Sequence, residues 1–158
     1  GYPKGVPMGG DLRRGNQGDA PGFLISAARD PIGANLDRVQ VVKGWLDAEG
    51  KSHEKVFNVA WAGDRQPDTA GKLPAIGNTV NQATAAVSNL IGADELSTLW
   101  VDPEFDASVR AFYYIRALQT PTARHSLYDA IALQVTETDR GAKTIQERAY
   151  SSPIWYTP

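Results

Sequence analysis

The run VRAFYYIRAL (Val109–Leu118) limits the possible folds more than any other stretch of this chain. In an extended strand, successive side chains alternate across the pleat. Phe112, Tyr114 and Leu118 then share one face, and Tyr113 and Ile115 share the other. Large apolar groups on both faces need cover from both sides, so this strand belongs at the centre of a sheet.

Other strands surround it at turn-punctuated spacing. GFLISAA (Gly22–Ala28) is stopped by the turn-rich RDPIGAN. LDRVQVVKGWL (Leu36–Leu46) sets Val39, Val41 and Trp45 on one face and Arg38 and Gln40 on the other. Lys43 lands on the apolar face, where a lysine either snorkels past the strand end or meets a polar partner. DAEGKS (Asp47–Ser52) reads as a hairpin loop into KVFNVAWAG, with Phe57, Val59 and Trp61 opposite Asn58 and Ala60. ELSTLWVDP is a strand stopped by Pro103, and the closing IQERAYSSPIWYTP ends in a strand around Ile154–Tyr156 that is buried on at least one face.

Between these lie less regular segments. Asp64 to Thr79 is the longest turn-like stretch. VNQATAAVSNLIG (Val80–Gly92) suits either a helix, by its alanines, or an exposed strand, by its Thr, Val and Asn. TARHSLYDAIALQVTE holds a short helix, and TDRGAKT (Thr138–Thr144) reads as a mobile connection. Short strands without long alternating helices specify a mainly β fold, an antiparallel β-sandwich of immunoglobulin-like or related type. It has long loops and at most one or two short helices. FDASVRAFYYIRA is similar to the entry of the penultimate strand of such sandwiches, where a Tyr hydrogen-bonds back across the corner. Residues 1–21, rich in Gly, Pro and charge, read as a loop or linker from a preceding domain, and residues 22–158 as a C-terminal β-sandwich domain.

Composition narrows the function classes. The 158 residues are 42% apolar and 22% charged, which suits one globular domain with its own core. A net charge of -2 and scattered basic residues create no field that would recruit nucleic acid or an anionic membrane. No apolar run approaches the ~20 residues that span a bilayer. The chain has no Cys, and so no disulfide, thiolate metal site or Cys nucleophile, a composition compatible with a periplasmic or secreted setting.

Few constellations carry chemistry. His53 and His125 belong to no HxH or HExxH pattern and read as surface or rim histidines. Ser126, His125 and Asp129 sit too close along one segment to orient each other as a triad, and no G-x-S-x-G elbow is present. MGGDL (Met8–Leu12) reads as a turn, and Arg29-Asp30 before Pro31 as a local ion pair. Alternation places Trp45, Trp61, Trp100 and Trp155 among apolar neighbours, in the core or at a domain interface. Exposed aromatics are also the stacking platforms of carbohydrate-binding sandwiches, so an independent carbohydrate- or ligand-binding module is the alternative function.

GVPMGGDL, ARDPIGANLDRVQVVKGWLD, VAWAG, FYYIRALQTPT and QERAYSSPIWYTP, in this order, resemble a bacterial family, domain of unknown function 3604. The resemblance covers nearly the whole chain. It implies a longer parent whose N-terminal region is similar to the polymerase-and-histidinol-phosphatase (PHP) type of metal-dependent phosphoesterase. That region carries an HxH-type motif for a divalent metal. No cofactor or metal is implied for this chain, which then corresponds to a C-terminal β-domain, non-catalytic alone, that packs on the metal domain or walls its substrate cleft. The resemblance places a Trp where His125 stands, which implies a bulky packing position. The family-like motifs nominate Asp11, Arg29, Asp30, Lys43 and Arg148 as binding or domain-interface residues, with no catalytic residue. The implied partner is the preceding domain, and a detached chain is expected to self-associate through the surface so exposed.

Overall fold

A computed structural model describes residues 5–13, 19–135 and 141–158. The elements run β1 (Asp11–Arg13), β2 (Gly22–Ala28), β3 (Leu36–Leu46), β4 (Ser52–Trp61), β5 (Glu95–Val101), β6 (Ala111–Gln119), β7 (Thr122–Ala123), α1 (His125–Leu133), β8 (Thr144–Ile145), β9 (Arg148–Tyr150) and β10 (Ile154–Thr157). The first residues of the connection expected at Thr138–Thr144 lie outside the described residues.

The larger sheet has the order β1-β10-β6-β3-β4, with β9 also paired to β6. Its centre is β6, flanked by β3 and β10, but a second layer covers only the inner of its two apolar faces, and Phe112 and Tyr114 on the other are half-buried. β9 and β10 share the same edge of β6 because the chain breaks between them at Ser151–Pro153. Pro153 has no N–H to give a ladder, and the Ser151 hydroxyl accepts the Ile115 N–H instead, at 2.9 Å. A two-stranded antiparallel layer, β2 with β5, covers one face of this sheet. The result is the mainly β, sandwich-like architecture expected from the strand pattern.

Two departures stand out. Asp11–Arg13, inside the segment read as a loop or linker, is a strand that pairs in parallel with β10, so the sheet is not wholly antiparallel. Three residues among glycines show no alternation of their own, and the strand exists because the β10 edge is there to receive it. The ambiguous Val80–Gly92 is neither helix nor strand and holds a single bridge, Val80 to Val87. Its short polar side chains bind the local backbone instead. Asn81 Oδ1 accepts the Ala83 N–H and Thr84 Oγ1 the Ala86 N–H, which competes with regular structure.

The core lies between the layers. Phe23 and Ile25 from β2 pack on Val39 and Val41 of β3, Ala111 and Tyr113 of β6, and Tyr156 of β10. The Phe23 and Tyr113 ring centroids are 4.8 Å apart. Phe23, Ile25, Val39 and Val41 each contribute roughly 1.5–3 kcal/mol on full burial.

Irregular chain between β4 and β5 is held by a buried carboxylate. Asp37 accepts from Arg65 Nη2 at 2.7 Å and from Gln146 Nε2 at 2.8 Å, and Arg65 also donates to the Ala62 and Pro74 carbonyls. Near its end, Gly92 has a φ of +88°, and a Cβ there would meet Asn35 Cβ at 2.6 Å, so only glycine fits. α1 buries Leu127, ends on Gln134 in the left-handed region, and leaves His125 exposed in its first turn. The bulky packing position implied for His125 is therefore corrected. The helix turns Leu127 inward, and its first residue has no wall to pack on.

Candidate functional site

The apolar alternation of β3 carries Lys43 to the inner face, where a bare ammonium would be costly. Its Nζ donates to Asp102 Oδ2 at 2.5 Å and to the Glu104 carbonyl at 2.8 Å. Tyr113 donates its hydroxyl to the same Asp102 oxygen at 2.8 Å, and Asp102 Oδ1 accepts the Glu104 N–H. Of the two readings of Lys43, the polar contact is correct. Burial, and then the hydrogen bond to Asp102, push the Tyr113 phenol above its ordinary value of 10.0. Tyr113 is thus a fixed donor and not a base. It bonds back across the β5–β6 corner, but to a side chain. The bond to a backbone carbonyl comes from Tyr156, whose hydroxyl donates to Ala107 O at 3.0 Å.

A cavity of about 140 Å³ opens beside this cluster, lined by Lys43, Trp45, Glu104, Asp106 and Tyr113. Small-molecule sites run to roughly 300 Å³ and more, so the cavity suits a few waters. With its charges mutually satisfied, the cluster anchors the β5–β6 corner to β3. A second hollow of about 400 Å³ follows α1 at Leu127, Ile131 and Val135, and among the described residues no carboxylate or histidine lines it.

The two outer faces differ in chemistry. On the β2–β5 layer, register pairs Leu24 with Leu99 and Gly22 with Val101. Leu24 is 88% exposed and Leu99 68%, so one end of this face presents bare aliphatic surface, while Ser26, Ser97 and Glu95 make its other end polar. On the larger sheet the outer face carries aromatic rings. One row across β1, β10, β6, β3 and β4 reads Asp11, Trp155, Phe112, Gly44, Glu54. Phe112 lies over Gly44, where a Cβ would overlap its ring. Tyr114 and then Tyr150 continue the stripe, with Trp155 50% and Tyr150 55% exposed.

The five nominated residues do not converge. Asp11 and Arg148 both belong to the outer face of the larger sheet, at opposite ends of the aromatic stripe. Lys43 is on the inner face. Arg29 pairs with Asp94 at 2.6 Å and not with its neighbour Asp30, which correction follows from the β2–β5 pairing that brings the two strand ends together. Arg29 also donates to the Pro31 and Gly33 carbonyls, while Asp30 accepts the Ile32 N–H, so both shape the turn after β2. The sequence reading missed Asp102 and Tyr113. A lysine on an apolar face was the signal that a buried carboxylate had to exist.

His53 bonds Asp47 at 2.7 Å and stacks on Trp45, with centroids 5.3 Å apart. Chiefly through that hydrogen bond, Asp47 is held below its ordinary value of 3.8. Trp45, Trp61 and Trp100 are half-buried, while Trp155 stands at the surface. Among the described residues, no group of three or more His, Asp or Glu gathers to hold a metal ion. No helix there is long and apolar enough to cross a membrane.

One comparison places the chain among its relatives. The model of the family described as "Protein of unknown function (DUF3604)" matches residues 1–158. The chain belongs to the DUF3604 family. Among curated proteins and among solved structures, none matches it. In this DUF3604 chain the matched span includes β1 and the irregular segment between β4 and β5, as well as the sandwich strands.

Proposed function

We propose that this DUF3604 chain is a C-terminal β-domain, non-catalytic alone, that packs on a preceding domain of the same polypeptide. In this reading the preceding domain is a PHP-like metal-dependent hydrolase that holds the divalent metal, and the β-domain walls its substrate cleft. The observation that carries the packing role is the aliphatic face of the β2–β5 layer, where Leu24, Leu99 and Val101 stand together in solvent. Contiguous apolar surface of this kind on a soluble domain marks an interaction site. Aliphatic side chains offer no hydrogen bond to a polar ligand, so the partner surface is another protein face.

Hydroxyl-radical footprinting of the isolated chain and of the full-length protein tests this. Leu24 and Leu99 are expected to oxidise readily in the isolated chain and to be protected in the full-length protein. Equal labelling in both would overturn the packing role. Hydrolysis of phosphoesters by the isolated chain with added metal would overturn the non-catalytic one.

A further inference from the structure

We propose that the outer face of the larger sheet binds a linear carbohydrate along the stripe of Trp155, Phe112, Tyr114 and Tyr150. This site lies on the opposite side of the sandwich from the aliphatic face and is independent of the packing role.

The stripe is built, and it is amphipathic. Phe112 and Tyr114 have ring planes within 10° of parallel and centroids 6.3 Å apart, close to the ~6.8 Å between alternate residues of a strand. They therefore lie side by side along β6 as neighbouring rings. Phe112 is laid down on the sheet by the missing Cβ of Gly44, and Trp155 adjoins it at 5.3 Å. Tyr150 extends the row from Tyr114 at 6.1 Å. In this way the sheet offers a continuous run of ring surface instead of one isolated aromatic.

Polar groups on the same face await a partner. The row through Trp155 and Phe112 ends in a carboxylate on each side, Asp11 on β1 and Glu54 on β4, both exposed. Among the described residues, neither carboxylate makes an ion pair, and the Trp155 indole N–H and the Tyr114 and Tyr150 hydroxyls make no hydrogen bond. A pyranose has the complementary surface. Its C–H face is slightly positive and packs on the negative face of an aromatic ring. Its hydroxyls donate to carboxylates and accept from indole N–H and phenol O–H. Leu24 and Leu99 on the other face have none of these groups, so the two faces select different partners.

The test uses the full chain and hexasaccharides of glucose (β-1,4 and α-1,4), xylose, mannose, N-acetylglucosamine and galacturonate. Tryptophan emission and titration calorimetry are followed to millimolar ligand. At least one hexasaccharide is expected to change the emission and bind with micromolar-to-millimolar Kd. Trp155→Ala and Tyr150→Ala, each with an unchanged circular dichroism spectrum, are expected to weaken it at least about tenfold. Leu24→Ser is expected to leave it unchanged. Absence of binding across the panel overturns the proposal, as does binding that survives both aromatic substitutions.

Discussion

Lys43 shows how one side chain sets local stability. Lys43→Met would leave the Asp102 carboxylate buried beside Tyr113 without its cation. Breaking a buried pair from one side costs about 3–5 kcal/mol, so urea midpoints should fall by that equivalent. Adding Asp102→Leu removes the stranded charge and should recover much of the loss. The half-buried Asp47–His53 contact acts through pH instead. Asp47 is held below 3.8 in the fold, so its contribution is complete above that value and is lost as pH falls through the lower folded value. Asp47→Asn should therefore flatten the decline in melting temperature between about pH 5 and about pH 3, while an unchanged acid limb would show that other carboxylates set it. Lys43 and Asp102 could not be paired from the sequence. An Asp that follows a strand and a Lys on an apolar face, 59 positions apart, meet only once the layers close.

At the scale of elements, legibility followed locality. The strands β2, β3, β5 and β6 and the helix α1 were readable because alternation, turn residues and chain breaks lie within each segment. β1 was not, since its partner β10 is at the other end of the chain. Nor was the organisation between β4 and β5, which hangs on Asp37 and Arg65 rather than on any period. Arg65→Ala should detach that segment from the sheet. The buried Asp37 would keep Gln146 and the longer Arg38 contact at 3.6 Å but lose its closest cation, so the cost should stay below the about 3–5 kcal/mol of a fully stranded charge, and hydrogen exchange should rise selectively across residues 62–94. The contact between β3 and β6 has a steric test. Gly44→Ala drives a Cβ into the Phe112 ring and should destabilise by about 1–3 kcal/mol while lifting that ring from the sheet. Of the five nominated positions, Asp11 and Arg148 reached a shared face because strand register put them there, and the other three serve the fold.

For the whole molecule, two outer faces of unlike chemistry mean two separable behaviours. Leu24→Ser with Leu99→Ser should lower self-association of the isolated chain in sedimentation at high concentration, whereas Trp155→Ala should not. A chain already monomeric without substitution would remove the basis for that difference. The β1–β10 pair has a mechanical consequence. The two strands run in parallel, so tension applied ahead of Asp11 and beyond Thr157 pulls them in opposite directions along their own axes. Their hydrogen bonds, with the Trp155 N–H to the Gly10 carbonyl at 3.1 Å, then carry the load together and cannot unzip one by one. The domain is therefore clamped in shear, and stretching it end to end should meet a single high force peak before any other strand gives way.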